Sequence, residues 1–322
     1  MNHPASTHSA TPSSPPVRLG ARGSLLSRLQ SGQVSQMLQA SHRGLVVELN
    51  VIKTSGDRIQ DRPLHEFGGK GLFTKELELA LLEGQVDFVV HSFKDVPVTM
   101  PLVAQQDLLI AAVPRRADPR DVLASTKARS LKDLPAGAKV GTGSLRRQSQ
   151  ILALRPDLQV VPIRGNVDTR LRKLEDGEYD AVILALAGAK RSGLFDGSFM
   201  TPIDSDTLLP AAGQGALALQ CRKADTRMRE LLAVLNDPVT FQCVELERAV
   251  VKQLEGDCHS PIAALAEMSG STVRLRAVVA GRDGRPPLIR AEAHADIAQA
   301  HNAVDSVIAA LNAQGAHQLL HG

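Results

Sequence analysis

Lys139-Val-Gly-Thr-Gly-Ser-Leu-Arg-Arg-Gln148 opens the stretch that decides the fold. Residues 139–141 read as a short strand, and a helical pattern starts near Ser144. Residues 159–163, Gln-Val-Val-Pro-Ile, read as a second strand. Residues 167–175 then place Val167, Leu171 and Leu174 on one helical face. A third strand, Asp-Ala-Val-Ile-Leu, covers residues 180–184. Strands alternating with helices across short links predict a doubly wound parallel sheet of the α/β class.

The same alternation runs upstream. Residues 17–20 read as a strand, 24–40 as a helix, 45–52 as a strand, 74–83 as a helix ended by Gly84, and 86–90 as a buried strand. The polar segment 115–135, broken by Pro119 and Pro135, reads as the crossing from one α/β unit to the next. The pattern changes at Asp237-Pro238. A helix over 238–254 leads into strands at 263–268, 273–280 and 288–293, with Gly281-Arg-Asp-Gly284 as the turn between the last two. An Ala-rich helix over 296–313 follows. The expected division is a disordered tail (1–16), a first unit from 17–112 and 212–236, a second from 113–211, and a small α+β unit from 237–322. No internal repeat is visible.

Composition narrows the function classes. The 322 residues suit two or three domains of roughly 100–200 residues each. Aromatic residues are 2% of the chain, so the core is aliphatic and the stacking platforms typical of single-strand nucleic-acid binders are missing. The net charge is +3, but residues 139–173 hold eight Lys and Arg against two Asp, a local net of +6. Charge runs are usually solvated surface; the sharper reading is a basic wall facing an anionic ligand. Three Cys, with no CxxC spacing, argue against a disulfide framework and a zinc site. His65, His91 and His259 show no metal-ligand spacing, and no metal is expected. His91 is expected to satisfy backbone groups at its strand end. No apolar run approaches the roughly 20 residues of a membrane helix. Residues 2–16 contain ten Pro, Ser and Thr, unlike a secretory signal or an Arg-rich transit peptide. A cytoplasmic protein is expected.

Polar residues gather where open α/β sheets bind ligands, beyond the carboxyl ends of the strands. Arg22 and Ser24 follow the first strand; His91, Lys94 and Asp95 follow residues 86–90. Thr142, Ser144, Arg146 and Arg147 follow 139–141. Arg164, Asn166 and Arg170 follow 159–163, and Lys190 and Arg191 follow 180–184. One such residue is ordinarily a cap or a surface charge. Cationic groups at five strand ends point to a cleft for a polyanion, because the guanidinium fork matches carboxylate and phosphate. No GxxxxGK[ST] occurs, and no GxGxxG with its acidic partner, so the motifs of a nucleotide site are absent. Cys221 and Cys243 lie in apolar or helical context and suit inert burial. Cys258 lies in a loop between Gly256 and Pro261, where a thiolate can act as nucleophile.

Six segments resemble the hydroxymethylbilane synthase (porphobilinogen deaminase) family, in that family's order. They are Phe67-Gly-Gly-Lys-Gly-Leu-Phe73, His91-Ser-Phe-Lys-Asp-Val-Pro97, Gly141-Thr-Gly-Ser-Leu-Arg-Arg-Gln148, Arg164-Gly-Asn-Val-Asp-Thr-Arg170, Leu209-Pro-Ala-Ala-Gly-Gln-Gly-Ala216 and Glu255-Gly-Asp-Cys-His-Ser-Pro261. The resemblance implies two hinged, doubly wound domains like those of periplasmic binding proteins, plus a small C-terminal α+β domain. It implies an enzyme that deaminates four porphobilinogen molecules, joins them head to tail on a covalent dipyrromethane primer, and releases the linear tetrapyrrole by hydrolysis. It assigns the thioether to Cys258 and the catalytic carboxylate to Asp95. Arg22, Ser24, Lys94, Ser144, Arg146, Arg147, Arg164 and Arg170 are implied to hold the cofactor. Arg22, Arg164, Arg170, Arg191, Gln214 and Lys70 are implied to hold substrate; the Gly-rich loop that carries Lys70 reads equally as a mobile cover over the cleft or as a plain surface loop. Gln214 also lies where the hinge is expected, and backbone satisfaction there is its plainer reading. The implied partner is a small molecule, with no nucleic acid, no membrane and a monomeric state.

Departures from the family pattern are Ser55 for a common Arg, Glu66 for a common Lys, Gly143 for a common Ser and Asp257 for a Gly. Asp257 puts a negative charge beside the thiol, which disfavours thiolate. Two other readings are a two-domain binding module without chemistry and a degenerate paralogue. The loop Cys and the third unit argue against the first. The retained Asp, Cys and six Arg argue against the second.

Overall fold

The computed structural model describes residues 15–54, 74–98, 107–257 and 260–321. Residues 1–14 of the expected tail lie outside these, as do Ser55, Glu66, Lys70 and Cys258.

The first sheet is built from β1 (Val17–Arg22), β2 (Val47–Ile52), β3 (Phe88–Ser92), β4 (Leu108–Ala112) and, from far along the chain, β10 (Leu217–Arg222), in the order β2-β1-β3-β10-β4. Helices cover both faces. In β3, Phe88 and Val90 pack with Val34 and Leu38 of α1 (Leu25–Ser41), whereas Val89 packs with Leu77 and Leu81 of α2 (Lys75–Leu82). Alternate side chains of one strand therefore enter two cores, which is why the run is apolar throughout.

The second sheet repeats this plan with β5 (Asp121–Ala124), β6 (Lys139–Gly141), β7 (Gln159–Val161), β8 (Ala181–Ala185) and β9 (Met200–Pro202), in the order β7-β6-β8-β5-β9. Ile183 faces Ile151 of α3 (Leu145–Leu154). Val182 and Leu184 face Leu171 and Leu174 of α4 (Val167–Glu175), with Ala189 of α5 (Leu186–Arg191).

These sheets are mixed, which corrects the expectation of purely parallel ones. β10 runs antiparallel to β3 and β4, and β5 runs antiparallel to β8 and β9. The physical reason is the crossing. β5 and β10 enter their sheets directly from the other unit, without the helical crossover that a parallel neighbour requires. The segment 115–135 is likewise more than a link, since β5 lies inside it.

The third unit comprises α7 (Pro238–Gln253), β11 (Ile262–Ser269), β12 (Thr272–Ala280), β13 (Leu288–Asp296), α8 (His301–Ala313) and α9 (Ala316–His321), after α6 (Thr226–Ala233) closes the first unit. Its antiparallel sheet, β11-β12-β13, buries one face against α7 and α8. On the other face Ala263, Leu265 and Val278 pack with Leu209 of the returning segment. Asp283 and Gly284 meet α3: the Asp283 carbonyl accepts from Gln148 Nε2 at 3.2 Å, and a Cβ on Gly284 would come 2.9 Å from Leu145.

Glu247 of α7 joins the three parts. Its buried carboxylate accepts from Arg116 Nη1 at 2.5 Å and Nη2 at 3.1 Å, from the Gly213 amide at 2.7 Å and from the Ala266 amide at 3.0 Å. Arg116 Nε also donates to the Gln214 carbonyl at 2.8 Å, so the outgoing and returning crossings share one ion pair. The crossings touch at Gly215 (φ +88°), where a Cβ would lie 2.5 Å from the Ala117 carbonyl oxygen. Removing one member of a buried pair leaves the other charge uncompensated, at a cost of about 3–5 kcal/mol. Glu247→Ala is therefore expected to lower the unfolding free energy, measured by urea denaturation, by about that amount, whereas Glu247→Gln, which keeps one acceptor oxygen, loses less.

Candidate active site

β3 ends at Ser92, and a 3-10 turn over Phe93–Asp95 turns the chain out of the sheet. Phe93 is buried and anchors the turn, leaving Lys94 and Asp95 half-buried. Across from them α3 begins, with Ser144 as its N-cap residue and the Ser144 hydroxyl making no capping bond. Lys94, Asp95, Ser144, Arg146, Arg147 and Arg248 line one cavity of about 190 Å³, with Asp257 and Ser260 at its wall. A depression of about 460 Å³ beside Gln242 and His301 has no Lys, Arg or carboxylate in its lining and lies apart from these groups.

Asp121, at the start of β5, organises the basic wall. Its buried carboxylate accepts from Arg146 Nη1 at 2.9 Å, from Arg147 Nη2 at 2.7 Å and Nε at 3.2 Å, and from Gln214 Nε2 at 2.8 Å. Burial alone would raise its pKa, but Arg146 and Arg147 outweigh burial and hold it well below the usual carboxylate range. The two forks are thus partly closed on a protein carboxylate, rather than wholly open as the sequence suggested. Arg147 also donates Nη1 to the Ile183 carbonyl at 3.0 Å, and Arg146 donates Nη1 to that of Leu209 at 2.7 Å. Nε and Nη2 of Arg146 make no hydrogen bond among the described residues, and two guanidiniums against one carboxylate leave the wall cationic.

Gln214 is the hinge residue in its plainer reading. Its Nε2 donates to the Pro119 carbonyl at 2.7 Å and to Asp121, and its Oε1 accepts from Lys94 Nζ at 3.4 Å. That amide is bonded within the protein, and Gln214 also lines the cavity beside Lys94 and Asp95. His91 is corrected as well. Its Nε2 meets Gln220 Oε1 at 2.9 Å, not a backbone group, and Gln220 Nε2 donates to Glu78 Oε1 at 3.1 Å. Burial pushes His91 down to about 4, so the ring is neutral.

The other expected residues stand outside the cavity lining. Ser24 caps α1, its Oγ accepting from the Ser27 amide at 3.3 Å. Arg22 ends β1 and is close enough to His91 to affect its charge. Arg170 donates Nε to the Gly165 carbonyl at 2.8 Å; burial, Arg147 and Arg164 lower its pKa to about 10. Arg191 donates Nη2 to the Gly215 carbonyl at 2.8 Å, and burial takes it to about 10. Arg164, Arg170 and Arg191 form no ion pair among the described residues.

Asp257, a departure from the family pattern, has a structural partner. Its Oδ1 accepts from the Ser260 amide and hydroxyl, both at 2.9 Å, and its own amide donates to Ser260 Oγ at 2.9 Å. The residues on either side of 258 and 259 are therefore clasped together. Sequence reading missed both Asp121 and Arg248. Asp121 sits in a polar stretch, and Arg248 reads as one helix charge among several.

Residues 17–230 match the family model described as porphobilinogen deaminase, dipyromethane cofactor binding domain, and residues 241–313 match the porphobilinogen deaminase C-terminal domain. This chain belongs to the porphobilinogen deaminase family. The porphobilinogen deaminase of Syntrophobacter fumaroxidans (strain DSM 10017 / MPOB) is 46% identical over 94% of this chain and 96% of its own. That of Roseiflexus sp. (strain RS-1) is 47% identical over 83% of this chain and 86% of its own. Among solved structures, the methionine-binding protein MetQ aligns with 17% identity and a TM-score of 0.42, over 74% of this chain and 95% of that one. As a porphobilinogen deaminase, the chain is a transferase of tetrapyrrole biosynthesis with a dipyrromethane cofactor. No helix among the described residues is long and apolar enough to cross a membrane.

Burial lowers Lys94 to about 8, although Asp95 opposes the shift. The ammonium is charged below that value and neutral above it, so any attraction that it exerts on a carboxylate in the cavity fades as pH rises through about 8. The kcat/KM for porphobilinogen is expected to fall on that limb. Lys94→Arg, charged throughout, is expected to move the fall to higher pH. A pH–rate profile checks this, and an unchanged profile would assign the limb to another group.

Proposed function

We propose that this porphobilinogen deaminase joins porphobilinogen units head to tail with Asp95 as its catalytic carboxylate. One observation carries the assignment. Asp95 stands at the wall of a cationic cavity, and its carboxylate makes no hydrogen bond or ion pair among the described residues, whereas Asp121 nearby is fully engaged.

The chemistry needs such a group. When porphobilinogen loses ammonia, the carbon–nitrogen bond breaks with its electron pair on nitrogen, and the pyrrole is left as an azafulvene cation. Asp95 offsets that charge beside the pyrrole N–H in a partly water-excluded site. Joining the next ring releases a proton from carbon, and a free carboxylate can receive it. Each pyrrole also brings an acetate and a propionate. The open donors of Arg146, the Ser144 hydroxyl, and Lys94 are placed to take carboxylates at the cavity, with Arg147 supplying charge. Arg22, Arg164, Arg170 and Arg191 supply further cations around it, and Ser24 a hydroxyl. Lys70, outside the described residues, keeps its assignment as a substrate-binding residue.

The cavity fits a dipyrromethane in its donor set: cations and a hydroxyl on one side, and on the other Asp257 and Ser260, which flank the segment bearing Cys258. When bound, that group supplies the ring to which substrate units are joined. Cys258 is its proposed attachment point. Cys221 and Cys243 are buried, and burial pushes both thiols up to about 11, away from the thiolate form that bonding requires. The proposal takes the protein as a cytoplasmic monomer that acts on a small molecule; its paucity of aromatic residues speaks against a nucleic-acid partner.

Two experiments test this reading. Asp95→Glu keeps the charge but shifts it by about one methylene, a misplacement that can cost on the order of a hundred-fold in rate. Asp95→Asn removes the charge and is expected to be slower still, with thermal unfolding unchanged in both. A structural Asp95 would leave Asn active and Glu no better than Asn. Separately, denaturing mass spectrometry of protein made in porphobilinogen-producing cells is expected to show the mass of one dipyrromethane, mapped to a Cys258 peptide. An active protein of unmodified mass would end the attachment proposal.

A further inference from the structure

Asp95 has no side-chain partner among the described residues, so its place depends on the backbone that carries it. One hydrogen bond closes that turn locally, the Val96 amide donating to the Phe93 carbonyl at 3.0 Å, and one ties its start to the residue before β10, the Phe93 amide donating to the Ala216 carbonyl at 3.0 Å. The carboxyl side of the turn is held from another unit. Arg248, on α7, donates Nη1 to the Val96 carbonyl at 2.7 Å and Nη2 to the Pro97 carbonyl at 2.7 Å. The same guanidinium lies over the Phe93 ring, 4.9 Å from its centroid. One planar group thus touches the residue before Lys94-Asp95 and the two residues after it.

We infer that Arg248 is a positioning residue: the third unit reaches across to fix the turn that carries Asp95, and so sets where the carboxylate stands. The inference rests on the catalytic reading of Asp95. A planar fork with two N–H groups spaced for successive carbonyls makes this contact with fixed geometry; a lysine ammonium is a point charge with three rotatable donors, and it has no planar face to lie on the Phe93 ring. Burial lowers Arg248 to about 10, which leaves it charged near neutrality and able to stack on the ring. α7 also runs on towards Asp257, so the helix that grips the Asp95 turn leads directly into the clasped residues around Cys258. One helix thus connects the grip on the Asp95 turn with the Asp257–Ser260 clasp.

Arg248 lines the cavity, and a direct hold on ligand carboxylate is the rival role. Steady-state kinetics separate the two. Arg248→Lys is expected to lower kcat for porphobilinogen about ten- to a hundred-fold, with KM within about twofold. Tm and the mass of bound cofactor should be unchanged, and Arg248→Met should lose more. A raised KM at unchanged kcat would make Arg248 a ligand-binding group and overturn the inference, as would wild-type kinetics. The substitution is repeated in an Asp95→Asn background, with single-turnover porphobilinogen consumption measured at excess enzyme. If Arg248 acts through Asp95, the Lys substitution costs little further there; an equal loss in both backgrounds overturns positioning. Should Asp95→Asn alone keep wild-type rates, the catalytic reading has failed instead. Phe93→Leu removes only the ring and is expected to give a smaller kcat loss with KM unchanged. It serves if the Arg248 variants do not fold, and a wild-type kcat in it would then count against the inference.

Discussion

Two buried guanidiniums, Arg146 and Arg147, converge on one buried carboxylate, Asp121, and much of the cavity wall depends on that arrangement. A guanidinium taken from water without a partner is costly, and two side by side repel. Asp121 offsets both terms while leaving one net positive charge facing the cavity. The carboxylate lies at the first residue of β5 and the arginines in the first turn of α3, so this pairing also sets how the helix sits on its sheet.

Asp121 extends its reach through Gln214. The amide links the second sheet to the returning segment and then to Lys94 at the end of β3. A further buried carboxylate, Glu247, ties the same crossings to the third unit. The cleft is therefore framed by two acidic residues that ligand does not need to touch, and a cationic site stands on anionic supports. Stability and binding draw on the same charges, which is why ionic groups occur here in an otherwise aliphatic interior.

The two sheets share one plan: three parallel strands, then an antiparallel strand borrowed across the crossing, then an edge strand. No sequence repeat announces this, because packing asks each position only to be apolar and of suitable size. The longer helices were plain in the sequence since their signals are local, whereas the short ones at Leu186–Arg191, Thr226–Ala233 and Ala316–His321 were not read. Ser24 and Ser144 mark helix starts, Gly84 follows a helix end, and Val167, Leu171 and Leu174 recur at helical spacing. β4, β5, β9 and β10 were not read as strands; β5 escaped because it is four residues long and begins with a charged residue inside a polar, proline-broken stretch. Its direction, like that of β10, leaves no mark on the pattern of buried positions.

By itself the sequence determined the α/β class, the third unit and the gathering of cationic residues at strand ends. Those follow from periodicity, from turn residues and from the rule that side chains at a strand's carboxyl end face the same cleft. It also carried the motifs that place the chain in its family. Tertiary structure alone decided which charges are spent inside the protein and which remain for ligand. Asp121 and Arg146 are 25 residues apart, His91 and Gln220 are 129, and Arg248 and Val96 are 152. Pairings at such separations are set by which elements pack together, and no local spacing encodes them. Asp95 shows the same limit from the other side: its proposed value as a catalytic group lies in making no hydrogen bond or ion pair among the described residues, a property that no local spacing encodes.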